Sequence, residues 1–284
     1  MNAEDFLAQM ATGSRVRAER AKALRPEAAL REFIARSPPP PLLQLSSEGF
    51  DLIAELKLRS PAQGALAKVS AVEVATRVME YADAGVAAVS VLTEPSRFDG
   101  SMVHLEKAAL SLGFATPPRP AMRKDFLVDP YQVLEARAAG AGGVLVILRM
   151  LERVTLEGLI DVALGLGLFV LLEAFDDADI DLAHALVEAR VAQREQLLVG
   201  VNCRDLVTLQ VVPGRLEQLV ERLPRNMARV AESGVATAAD AARLAAAGYD
   251  LALVGSALMT GGAPRELAGS MLEAARAARG RQRR

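Results

Sequence analysis

From residue 50 onward the chain repeats one pattern: a short, almost continuous apolar run, a loop, then a stretch with apolar positions at helical spacing. The runs are DLIAELK (51–57), AAVSVLT (87–93), RPAMRKD (119–125), GVLVIL (143–148), LFVLLEA (168–174), LLVGVN (197–202), ARVAE (228–232) and LALVG (251–255). Runs that are apolar at nearly every position predict strands buried on both faces, the condition of a parallel sheet covered by crossover helices. The segments VEVATRVMEYADAG, PYQVLEARAAGAGG and AADAARLAAAGYD supply such helices, with glycine near their ends and Pro130 where a helix can begin. Eight evenly spaced units predict an α/β fold, a closed (β/α)8 TIM barrel. An open doubly wound sheet has no reason to space its units so evenly. It would also carry a glycine-rich fingerprint after its first strand, which ELKLRSP is not.

Residues 1–50 break the rhythm. EDFLAQMATGSRVRAERAKAL and PEAALREFIAR predict two helices, closed by SPPPP at 37–41. They hold too few apolar residues for a core of their own. Residues 1–50 are therefore expected as an N-terminal helical extension on a barrel formed by 51–284, with RAARGRQRR as a frayed basic tail.

Composition narrows the function classes. A formal charge of −2 over 284 residues leaves no basic excess for nucleic acid. Cys203 is the single cysteine, which excludes an intrachain disulfide, and two histidines argue against a histidine-built metal centre. The first residues show no secretory signal, and VALGLGLFVLLEAF is too short and glycine-broken to cross a bilayer. The expectation is a cytoplasmic protein without metal, membrane or nucleic-acid partner.

The candidate chemistry lies where the runs end. In such a barrel the C-terminal strand ends form one face, and the loops there build the site. The ends carry Glu55 and Lys57, Lys124, Glu173, Asn202 followed by Arg204, Glu232, and Gly255 with Ser256. Glu55 and Lys57 are two apart and so share a side of their strand. Ammonium and carboxylate groups coupled in this way can supply an acid and a base at neutral pH. The three charges of RKDF (123–126) are expected at the same mouth. Ser233 and Gly234 in ESG, with Gly255 and Ser256 in VGSALM, stand at helix starts after the last two strands, the usual phosphate site of these barrels. The residues alone leave three readings open: a carbon-chemistry enzyme on a phosphorylated substrate, a sugar-phosphate isomerase of the same fold, and a catalytically silent phosphate-binding barrel. The last leaves so many desolvated charges as an uncompensated cost.

IAELKLRSPAQG, PAMRKDFLVDPYQVLEARAAGAGGVLVI, FDGSMVHL, VGVNCRDLVTLQV and AESGVATAADAARLAAAGYDLALVGSALM resemble segments of the indole-3-glycerol phosphate synthases. The resemblance runs from about residue 5 to 262 and includes the helical extension. It implies a carboxy-lyase that closes the indole ring of 1-(2-carboxyphenylamino)-1-deoxyribulose 5-phosphate, with loss of carbon dioxide and water, in tryptophan biosynthesis. It implies no cofactor and a monomer. Carried over residue by residue, it makes Lys124 the general acid of ring closure, and Glu173, Glu55 and Lys57 the candidates for the dehydration. Asn202 and Glu232 would hold the sugar-derived chain, Arg204 and Ser60 the carboxylate, Phe98 the aromatic ring. Ser233, Gly234, Gly255 and Ser256 would bind the phosphate. Leu58, Arg59 and Phe175 depart from the family's usual pattern, so a relative acting on another carboxylated amine-sugar phosphate stays open.

Overall fold

The computed structural model describes residues 3–60, 64–66, 71–206 and 208–282. Pro61 to Gln63 of the IAELKLRSPAQG segment lie outside the described residues, as do Arg283 and Arg284 of the expected tail.

The barrel strands are β1 (Asp51–Leu56), β2 (Ala88–Leu92), β3 (Ala121–Lys124), β4 (Gly143–Ile147), β5 (Phe169–Ala174), β6 (Leu197–Asn202), β7 (Ala228–Glu232) and β8 (Leu251–Val254). All pair in parallel, each with its neighbour in the chain, and β1 closes the ring against β8, with Ile53 opposite Leu253 on one side and Ala88 on the other. This is the expected (β/α)8 barrel. Its two faces explain the continuous apolar runs. Leu52, Ala54, Val89, Val144, Val170 and Val199 point outward into the layer under the helices. Ile53, Ala88, Met122, Leu145, Leu171 and Val230 alternate with them and fill the interior. A Cβ on Gly143 would come within 2.4 Å of the Phe169 ring, so that glycine makes room for an aromatic in the filling.

The helices follow in chain order: α1 (Ala3–Leu24), α2 (Glu27–Arg36), α3 (Ala71–Asp83), α4 (Pro95–Phe98), α5 (Met102–Gly113), α6 (Pro130–Ala138), α7 (Arg153–Gly165), α8 (Asp177–Glu188), α9 (Arg215–Leu219), α10 (Ala238–Ala247), α11 (Ser256–Thr260) and α12 (Pro264–Gln282). Helix α6 starts at a capping box in which Asp129 and Gln132 satisfy each other's backbone groups, with proline in its first turn. That start is also where the extension docks. Gln132 donates to the fully buried Ser14 hydroxyl at 2.8 Å, and the Tyr131 hydroxyl donates to the Arg25 carbonyl at 2.7 Å. Leu30 and Ile34 of α2 close over Tyr131 and Leu134 in a small apolar cluster.

At the opposite end of the chain, Arg276 donates to the Phe50 carbonyl and Asp51, and Arg279 to the Gly49 carbonyl and Asp250. The arginine-rich terminus is thus helical to Gln282 and tied to the floor of the barrel; its two anchoring arginines are not part of a frayed tail.

Candidate active site

At the C-terminal ends of the strands the inward positions stop being apolar. The series Ile53–Glu55, Met122–Lys124, Leu171–Glu173, Gly200–Asn202 and Val230–Glu232 each step by two, so the period that fills the interior also delivers these groups to its top. There Glu55, Lys57, Ser60, Phe98, Lys124, Glu173, Asn202, Arg204, Glu232, Ser233, Gly234, Gly255 and Ser256 all line one cavity of about 450 Å³.

The floor is a charge cluster. Lys57 Nζ lies 2.7 Å from Glu55 Oε1. Lys124 Nζ stands between two carboxylates, 3.7 Å from Glu173 Oε1 and 3.5 Å from Glu232 Oε2. Burial alone would lower Lys124, but the carboxyl groups of Glu173, Glu232 and Glu55 outweigh it and hold the ammonium charged beyond its ordinary range. One such pair at this distance is worth about 4 kcal/mol at an effective dielectric constant of about 20, so several together overcome the loss of water around one cation. Glu55 is likewise buried, which by itself would raise it, yet Lys57 and Lys124 pull it below the usual carboxylate range. Glu232 goes the other way. Burial, with Glu173 adding repulsion, pushes it up to about 8, and neither of its oxygens has a hydrogen-bond partner. The site therefore sets a charged ammonium at Lys124 and an ionised carboxylate at Glu55 against a carboxyl at Glu232 whose hold on its proton is strengthened.

Asn202 orients the next group. Its Oδ1 accepts the Arg204 backbone N–H at 2.9 Å, which turns Nδ2 toward Glu173 Oε1 at 2.6 Å. Arg204 also donates to the Leu209 carbonyl at 2.6 Å and pairs with Val211 as an isolated bridge, folding the loop after β6 over the cavity. On one side Ser233 and Gly234 take consecutive left-handed conformations, φ 69° and 72°, and turn the loop after β7 back to the mouth. Beside them Gly255 leads into α11 at Ser256. A Cβ on Gly255 would lie 2.3 Å from Glu55 Oε1 and 3.1 Å from Lys57 Nζ, so its bareness serves that ion pair as well as the rim.

The other side is aromatic. Phe98 lies 6.1 Å from Phe126, and Phe126 meets Phe6 edge-on at 5.9 Å. Phe6 and Leu7 come from α1, so the extension supplies part of the wall. Neither they, Phe126, nor Leu206, Leu209 and Val211 were candidates from sequence. The helix α1 was legible, but its place over the mouth depends on contacts with residues more than a hundred positions away. Of the residues that depart from the family pattern, Leu58 is buried in the outer core, Arg59 bonds Asp99 at 2.8 Å, and Phe175 lines the cavity beneath the Arg149 guanidinium at 4.8 Å.

One expectation needs correction. Of the three charges in RKDF, Lys124 and Asp125 line the cavity, Lys124 alone lies against the carboxylates, and Arg123 does not reach the mouth. Arg123 reaches the Gln132 carbonyl, Glu135 and Thr93 instead, and Asp125 accepts from Arg123, Arg17, Thr93 and the Phe126 backbone. Adjacent residues of a strand face opposite sides, so the three could not share one direction. Among the described residues no group of three or more His, Cys, Asp or Glu side chains is placed to hold a metal ion, and no helix is long and apolar enough to cross a membrane.

Solved structures with this fold include 3-hexulose-6-phosphate synthase from Salmonella typhimurium, at a TM-score of 0.59, 16% identity and coverage of 80% of this chain and 98% of that one. Thiamine phosphate pyrophosphorylase from Pyrococcus furiosus aligns at a TM-score of 0.57 and 14% identity, over 81% of this chain and 97% of that one. At such identities the likeness concerns the barrel alone. Sequence relatives go further. The indole-3-glycerol phosphate synthase of Leifsonia xyli subsp. xyli is 40% identical over 262 residues, 90% of this chain and 94% of the relative. The enzyme of that name from Parafrankia sp. (strain EAN1pec) is 39% identical over 249 residues, 87% of each chain. The sequence profile of the same family matches residues 14–268, from within α1 to within α12 and so across every strand end described above. With residues 14–268 matched by that profile and most of its length shared with such relatives at about 40% identity, the chain belongs to the indole-3-glycerol phosphate synthase family.

Proposed function

We propose that the cavity closes the indole ring of 1-(2-carboxyphenylamino)-1-deoxyribulose 5-phosphate, releasing carbon dioxide and water, and that its strand-end residues carry the chemistry. The observation that supports this most is the placement of the Lys124 ammonium between Glu173 and Glu232, under a cavity with an aromatic wall on one side and the Ser233–Gly234 and Gly255–Ser256 turns on the other.

In this reading the phosphate lies on those two turns, where backbone N–H groups and bare glycines let an anion approach. The anthranilate ring lies on the Phe98 side, with Ser60 and Arg204 toward its carboxylate. Held so, the ring carbon that bears the carboxylate attacks the ketone, and Lys124 donates a proton to the oxygen on which negative charge builds. Departure of carbon dioxide leaves its bonding electrons in the ring and restores aromaticity. The new hydroxyl then leaves as water. That step needs one proton delivered to the oxygen and one removed from the carbon–nitrogen framework, and Glu173, Glu55 and Lys57 are within reach for it. Asn202 fixes Glu173 for its part. The enzyme works as a monomer in the cytoplasm, without a nucleic-acid partner, in keeping with a formal charge of −2 and a single cysteine. Residues 1–50 act as part of the catalytic unit, because α1 lends Phe6 and Leu7 to the wall.

The test is turnover of that substrate by the purified chain in chelator-treated buffer, followed by indole fluorescence. Product formation is expected. Binding of the substrate without turnover would leave a silent phosphate-binding barrel, and turnover only of another carboxylated amine-sugar phosphate would move the chain to a secondary pathway.

A further inference from the structure

Gly200 stands at an inward position of β6, opposite Glu173 on β5 and Val230 on β7. It is not among the glycines with positive φ, so the backbone there would accept any residue. A glycine inside a strand weakens it and calls for a reason, often the close approach of another group. That group is a side chain. A Cβ on Gly200 would lie 2.3 Å from Glu232 Oε1, 3.2 Å from its carboxyl carbon and 3.1 Å from Leu171 Cδ1.

We propose that Gly200 is a positioning residue of this site: the side chain missing from the inner wall of β6 is the space that receives the Glu232 carboxyl and holds it beside Lys124. The inference rests on the reading of Glu232 as part of the catalytic set. Glu232 is 1% exposed, and both of its oxygens lack a hydrogen-bond partner. Glu173, by contrast, is engaged by Asn202 at 2.6 Å. Glu232 is therefore a carboxyl held by the shape around it and by the Lys124 ammonium at 3.5 Å rather than by a close hydrogen bond. The charged groups facing it are Lys124 from β3, Glu173 from β5 and Glu55 from β1. The three atoms nearest a methyl at 200 all belong to the ends of flexible side chains, those of Glu232 and Leu171. The fold can absorb it, but only by moving the carboxyl.

The experiment is a double-mutant cycle of Gly200→Ala with Glu232→Ala, read by steady-state kinetics and by thermal melts. Gly200→Ala alone is expected to lower kcat about 10²-fold with little change in KM, as a displaced reacting group does. In the Glu232→Ala background the same substitution should change kcat less than about twofold, because its main route of action, the Glu232 carboxyl, has gone. The melts carry the cycle without reference to turnover: Gly200→Ala should lower Tm when Glu232 is present and leave it nearly unchanged when it is not. Near-normal kcat in the single variant, or equal losses of rate or of Tm in both backgrounds, overturns the proposal. Should Gly200→Ala fail to fold, a double variant that folds supports it and one that also fails overturns it. Absence of turnover in the parent chain contradicts the proposed reaction instead, and the Tm cycle still decides the role of Gly200.

Discussion

Glu173 and Glu232 show how two chemically identical side chains in one cup acquire different partners. Glu173 accepts a hydrogen bond from Asn202, and Glu232 has none and is buried against it. If Glu173 is the base of the dehydration, Glu173→Gln should lower kcat by about 10²–10⁴-fold while the melting temperature stays close to that of the parent. An unchanged rate removes that role. Glu232 makes a separate prediction about stability. It keeps its proton in the folded chain up to about 8, whereas in the unfolded chain it releases it in the ordinary carboxylate range. Between those values the folded state binds the extra proton, so the contribution of Glu232 to stability falls as pH rises through that window and levels off above it. Glu232→Gln cannot titrate. The Tm of this variant minus that of the parent should climb between about pH 5 and about pH 8, and a flat difference would show that Glu232 titrates normally.

At the scale of elements, strand β3 does two jobs through alternation. Met122 and Lys124 face the interior, while Arg123 and Asp125 build a joint between β3, α6 and α1. Burial would raise Asp125, but Arg123 and Arg17 outweigh it and hold its carboxyl below the usual range. Its stabilisation is therefore complete above the ordinary carboxylate range and is lost as pH falls through its own lower value. Asp125→Asn leaves two guanidinium groups without that charge and should cost about 3 kcal/mol near neutral pH, with the deficit shrinking in acid below about pH 4. Denaturant melts across pH measure both; a constant deficit at every pH would mean that the charge of Asp125 is not what holds the joint. This joint was hidden in the sequence. Three charges in a row mark a strand that surfaces, and alternation allows only one or two of them to reach the mouth, but which parity faces inward is set by closure of the whole ring.

For the molecule as a whole, the barrel was legible because each strand is apolar on both faces, and the rim because that apolarity stops at the same end of several strands. Glu55, Glu173, Asn202 and Glu232 could be read as inward by counting in twos from the apolar interior. What escaped was everything that depends on chain segments folding over the top. Phe6 and Leu7 reach the cavity through Ser14, Arg17 and Tyr131, and Leu206 and Val211 through the loop that Arg204 folds. No local period marks such residues, because their environment is made by elements distant in sequence. Gly200 within β6 and Gly255 just after β8 were equally hidden, because nothing in their local sequence shows that side chains occupy their space.

The site stands or falls on Lys124 as the proton donor within a cup that stays formed without it. The decisive measurement is the rate of indole formation by Lys124→Ala at saturating substrate, taken beside its circular dichroism and its affinity for the substrate. Loss of about 10²-fold or more in kcat, with the spectrum and the substrate binding kept, is expected. A rate within a few-fold of the parent would contradict it, and the proton for ring closure would have to come from elsewhere in the cup.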